Sequence, residues 1–191
     1  MNYTIERKTA AAGVFEALQF TVLARANSNS NYAINGVLVT EKEFVATDSH
    51  RMHIAEVEHS IEPGVYEVVK ATRSVITLIP KEGNFPKWRD IVPDWRNSFV
   101  VRQNCKTYNI KGPNIADFVS FALAQKGILV PYDFLNDSQA HQVYFGDHNK
   151  PIKTVDETGK LSTVIMPIDT PDVEYDMHVE CIVNLDHAKI A

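Results

Sequence analysis

Two stretches with a helical apolar repeat, each set among short strands, constrain this chain more than any other feature of it. The second is the cleaner. After Gly112-Pro113-Asn114, the residues Ile115, Phe118, Val119, Ala122 and Leu123 recur at spacings of three and four, which puts them on one helical face. Asn114 is the expected N-cap and Gly127 the terminating residue. The first helix is expected from a Thr9 cap to about Ala26, with Phe15, Leu18 and Val22 on one face, ending in the polar loop Asn27-Ser28-Asn29-Ser30-Asn31. Strands are expected at 3–7, 33–40, 43–47, 53–57 and 65–69, then at 99–103, 107–110, 128–130, 141–145 and 161–168. Residues 71–79 remain open between a strand, favoured by their β-branched side chains, and a short helix. Residues 85–93 read as extended and punctuated by proline. The order of strand, helix and several strands is thus stated twice. It predicts an α+β fold of repeated β-α-β-β-β units, with antiparallel sheets each covered by a helix, because each apolar stripe needs a sheet face to bury it.

Composition narrows the function class. The 191 residues are 45% hydrophobic and 23% charged, enough for one domain or two small ones. No apolar run is long enough to span a bilayer, and the first residues lack the basic and apolar regions of a signal peptide. With only Cys105 and Cys181, far apart, reduced thiols in a cytoplasm are expected. The net charge of −5 is uneven: residues 169–191 hold six acids and one base, while residues 1–168 are balanced. Between 81 and 111 stand seven bases, among them Lys87, Arg89, Arg96, Arg102, Lys106 and Lys111, against three acids. Such a run is either a solvated face or a patch that meets DNA phosphates.

Catalytic patterns are missing. The chain has no GxxxxGK[ST] or GxGxxG loop, no HExxH and no GxSxG. Asp48, His50 and His53 do not make a metal site, because a spacing of three across a turn and strand does not present two ligands on one face. Asp48-Ser49-His50 are adjacent in sequence, whereas the members of a catalytic triad converge from separate segments. Asp133 and Asp137 read as loop caps. The expectation is a protein without enzymatic activity, cofactor or metal.

Three segments resemble the bacterial DNA sliding clamp, the beta subunit of DNA polymerase III. The first runs from Phe15-Glu16-Ala17-Leu18-Gln19-Phe20 through Tyr32-Ala33-Ile34-Asn35-Gly36-Val37-Leu38 to Val45-Ala46-Thr47-Asp48-Ser49-His50-Arg51-Met52. It looks like the family's middle domain, with its helix, its "NG" strand and its "ATDGHRL" turn in order. The second, Phe85-Pro86-Lys87-Trp88-Arg89-Asp90-Ile91-Val92-Pro93, is similar to the "FPDYRRVLP" linker. The third, Val164-Ile165-Met166-Pro167-Ile168, resembles the "VVMPM" strand near the family's C-terminus.

The resemblance implies a DNA replication processivity factor in shortened form. Residues 1–84 would be a unit like the middle domain, 85–96 the linker, 97–168 a unit like the C-terminal domain, and 169–191 an acidic tail. It also implies a hydrophobic pocket for a short peptide carried by DNA polymerase, the clamp loader or repair proteins. By matching position the pocket would use Ile34, Thr47, Ser49, His50, Arg51 and Met52, then Pro86 and Ile91, then Val164, Met166, Pro167 and Ile168. Apolar side chains there would bury a peptide's Leu or Phe, and His50 and Arg51 would hold its polar groups. Met166-Pro167-Ile168 taken alone would read as a buried strand end. Clamps close a ring around double-stranded DNA, with basic side chains on the helices that line the hole. The helices here carry few bases, so two readings stay open: a homo-oligomeric clamp, or a peptide-binding module or decoy that does not encircle DNA. Ser49 stands where the family has glycine, which disfavours a positive φ there, and Asp169 stands where it has a base.

Overall fold

The computed structural model describes residues 1–28, 34–91, 97–100 and 115–168. It divides into two compact units, Met1–Val92 with Thr158–Thr163, and Pro93–Glu157 with Val164–Ala191. The expected strand 107–110, the N-cap Asn114 and the tail 169–191 lie outside the described residues.

The first unit is a helix on an antiparallel sheet. Its elements are β1 (Tyr3–Glu6), α1 (Val14–Val22), β2 (Gly36–Val39), β3 (Glu43–Thr47), β4 (Arg51–Glu56), β5 (Gly64–Ala71) and β6 (Val75–Pro80). The strand order is β1-β6-β5-β2-β3-β4. Phe15 and Leu18 of α1 are buried against Val37, Val39, Phe44, Ala46, Ile76 and Leu78 from the sheet. Complete burial of a side chain of this size contributes roughly 1.5–3 kcal/mol. The helix begins later than Thr9 because the amides of Thr9 and Ala10 both turn back onto the Glu6 carbonyl. Gly13, at φ 82°, then directs the chain into the first helical residue. The open stretch 71–79 resolves into a tight turn and β6, since Thr72 Oγ1 accepts the amides of Ser74 and Val75.

In the second unit, β7 (Asn97–Val100), β8 (Gln142–Phe145) and β9 (Ile152–Val155) pair antiparallel in sequence order. β10 (Leu161–Ile165) passes from the first unit to the second after Thr163. The helix α2 (Ile115–Ala124) buries Ala116, Val119, Ala122 and Leu123 in a core with Val143, Phe145, Ile152 and Ile165. Gly127 ends it at φ 72°, with the Ile128 amide reaching back to the Leu123 carbonyl. Two expectations give way here. Residues 128–130 form no strand, and Pro131 leads instead into α3 (Tyr132–Asp137). The strand expected over 161–168 ends at Ile165.

Two residues of the first unit carry checkable consequences. A Cβ on Gly36 would lie 2.3 Å from the Tyr66 carbonyl oxygen on the neighbouring strand, so Gly36→Ala is expected to destabilise by at least about 1–3 kcal/mol, measured by urea unfolding. His59 stacks on the buried Phe44 ring, centroids 4.5 Å apart, and accepts the Ile61 amide at Nδ1. Burial holds its pKa below the usual 6.5, an effect that its neighbours, the Glu58 carboxylate among them, offset only in part. Below pH 6.5 the unfolded chain therefore takes up a proton that the folded chain resists, and stability falls until the lowered folded pKa is reached. His59→Asn keeps an acceptor for Ile61, and its melting temperature is expected to fall less than the parent's between pH 7.5 and 5.5.

Candidate functional site

The turn between β3 and β4 is built by its own side chains. Thr47 and Met52 are paired across the hairpin. Asp48 Oδ1 accepts the amides of His50 and Arg51 at 3.0 and 2.9 Å. Thr47 Oγ1 accepts the Ser49 amide and donates to the Arg51 carbonyl at 2.7 Å. These bonds hold Ser49 at φ 79°. The left-handed conformation that its side chain disfavours is therefore adopted, over-determined by the neighbouring hydrogen bonds. Asp48 Oδ2 also pairs with Arg51 Nε at 3.2 Å. Its carboxylate is occupied in shaping the turn.

Arg51 ties this turn to the helix. Its Nη2 donates to the Leu23 carbonyl at the C-terminal end of α1, 2.7 Å away, where a cation also meets the negative end of the helix dipole. Ile34 lies at the same end of α1, its carbonyl accepting the Ala26 amide. Ile34 and Met52 are buried, while Ser49 and His50 are exposed. His53, three residues from His50, is fully buried and stacked on Phe20 at 4.3 Å, with Nδ1 2.8 Å from the Phe20 carbonyl oxygen. The two imidazoles thus face different environments. No group of three His, Cys, Asp or Glu that could hold a metal occurs among the described residues.

Residues 85–91 are less extended than expected. They tighten into a 3-10 helix, Trp88–Ile91, that buries Trp88. Arg89 lies over the Trp88 ring at 4.1 Å and pairs with Glu43, while Lys87 is exposed. Pro86 is half-buried and Ile91 exposed. Leu38 and Val65 with residues 83–90 line a groove of about 430 Å³ in this unit. Sequence reasoning missed this groove and the Arg89–Glu43 pair, because both join segments far apart along the chain, 46 positions in the case of the pair.

The third segment belongs to the second unit. Val164 and Ile165 are buried, Pro167 is half-buried, and Met166 and Ile168 are 40% and 50% exposed. The Ile168 amide donates to the Leu129 carbonyl at 2.7 Å, which fixes 166–168 past the end of β10. Of the expected DNA contacts, Arg96, Arg102, Lys106 and Lys111 lie outside the described residues.

This architecture is the fold of the bacterial DNA sliding clamps. No family model and no curated protein matches the chain; the likeness is to solved structures. The beta chain of DNA polymerase III from Streptococcus pneumoniae TIGR4 matches with a TM-score of 0.54 at 16% identity, over 89% of this chain and 65% of that one. A Pseudomonas aeruginosa sliding clamp bound to griselimycin matches with a TM-score of 0.55 at 16% identity, over 89% and 66%. The beta subunit from Thermotoga maritima matches at 0.56 and 13%, over 90% and 66%. The chain spans about two thirds of the length of these clamps, a little under it in each case.

The turn supplies a direct test. Asp48→Ala removes an acceptor of two amides and the partner of Arg51, and is expected to cost about 1–3 kcal/mol, read by thermal or chemical unfolding. Ser49→Gly relieves the left-handed strain and should not lower stability.

Proposed function

We propose that the protein is a sliding-clamp-like DNA replication processivity factor that tethers a polymerase or repair protein through a hydrophobic peptide pocket. In this reading residues 1–84 and 97–168 are the two clamp units, joined by the linker 85–96 and followed by the acidic tail 169–191. The pocket takes Ile34, Thr47, Ser49, His50, Arg51, Met52, Pro86 and Ile91 from the first unit and its linker, and Val164, Met166, Pro167 and Ile168 from the last strand. The protein does its work in the cytoplasm, without chemistry of its own. The observation that carries the reading is the hydrogen-bonded turn 47–52 in a chain of clamp fold. Asp48 and Thr47 set its backbone in advance, and Arg51 anchors it to α1, so little ordering would be needed when a peptide binds.

A second reading, a clamp-derived module or decoy that does not encircle DNA, is favoured by the helices. The α1 and α2 segments, VFEALQFTV and IADFVSFALA, contain no Lys or Arg, so they offer no cations to phosphates.

A fluorescent peptide of the QLxLF type is expected to bind the intact protein with roughly micromolar affinity, about −8 kcal/mol. Met166→Asp places a charge on an exposed apolar position and is expected to abolish that binding while the protein stays folded. No detectable binding to the parent would sink the pocket. Light scattering at high concentration separates the two readings, since a strictly monomeric protein cannot close a ring.

A further inference from the structure

The cations absent from α1 and α2 are gathered elsewhere in the first unit. Residues 6–10 and 70–75 contain Arg7, Lys8, Lys70 and Arg73 but only one acid, Glu6. The two segments adjoin, because β1 pairs with β6 in the register Glu6↔Val75 and the Arg7 amide donates to the Ser74 carbonyl at 2.9 Å. The first is a fixed turn; the second is the tip of the β5–β6 hairpin, with Lys70 still in β5 and paired with Thr77. The first is closed by the Thr9 and Ala10 amides on the Glu6 carbonyl, the second by the Ser74 and Val75 amides on Thr72 Oγ1. Arg7 is held between the Phe15 ring and Glu16. Lys8, Lys70 and Arg73 are exposed. Among the other cations of the unit, Arg25 is committed to the Val68 carbonyl, Arg51 to Asp48 and Leu23, Lys81 to Asn35 and Arg89 to Glu43, while Lys42, Lys87 and Lys160 are exposed.

We infer that the joined segments 6–10 and 70–75 form a docking surface for the sugar-phosphate backbone of duplex DNA, with Lys8, Lys70 and Arg73 meeting its phosphates. Exposed cations spread over a turn and a hairpin tip suit an extended polyanion, whereas a small anion needs donors that converge on one point. Such cations read no base sequence, so binding would be independent of sequence and steeply dependent on salt. The inference deepens the DNA-binding side of the proposed function and rests on that reading, but not on the peptide pocket.

The test is fluorescence anisotropy with a short labelled DNA duplex and the full chain, at several salt concentrations. Replacing Lys8, Lys70 and Arg73 together by Glu is expected to weaken binding at least tenfold at low salt. The slope of log affinity against log salt should shrink by about 0.9 for each phosphate that is no longer neutralised. A control replaces the exposed Lys42, Lys150 and Lys160 by Glu, an equal change of net charge, and should weaken binding much less. Equal losses in the two triple variants would overturn the inference, as would a parent that does not bind the duplex. QLxLF peptide binding in the same samples reports separately on the pocket.

Discussion

Burial of the α1 apolar stripe on one face of an antiparallel sheet is the constraint on which the first unit depends. Phe15 and Leu18 reach the sheet only if β2, β3 and β6 present Val37, Val39, Phe44, Ala46, Ile76 and Leu78 on the same side. A slip of one residue in any strand would turn its apolar set to solvent. The close approach of β2 and β5 at Gly36 belongs to the same arrangement, since only a residue without a side chain fits against the Tyr66 carbonyl.

The candidate site grows from that packing. Once α1 is seated, the Leu23 carbonyl stands where Arg51 can reach it, and the β3–β4 turn is held from outside as well as by Asp48 and Thr47. Ser49 shows the consequence. Its positive φ runs against the preference of its side chain, and the surrounding hydrogen bonds outweigh that preference. Rigid turns also frame the cationic surface at 6–10 and 70–75, where Thr72 plays the part that Asp48 plays at the other hairpin.

The α1 and α2 segments are free of bases, while exposed cations collect on turns. Arg89, which stands in a basic run of the sequence, is taken up by Glu43 and Trp88. Counting charges along the chain therefore overstates what Lys81 and Arg89 offer a phosphate, because their partners, Asn35 and Glu43, are distant in sequence.

Local patterns determined much of the fold. Most of the α2 face (Val119, Ala122 and Leu123, though Ala116 rather than Phe118 is buried), the stop at Gly127, and the strands at 43–47 and 141–145 were legible because each depends on residues within a few positions of one another. So was the clamp-like order of elements. Boundaries set by turn chemistry were harder to read: α1 starts at Val14 because Glu6 captures the amides of Thr9 and Ala10, and 128–130 leaves the sheet as Pro131 opens α3. The pocket residues could be named only by resemblance. What tertiary structure alone decided is the setting of each side chain: the burial of His53 beside an exposed His50, the anchoring of Arg51 on α1, and the capture of Arg89. Those outcomes rest on hydrogen bonds and ion pairs between residues 28 to 46 positions apart, and no periodicity in the chain encodes them.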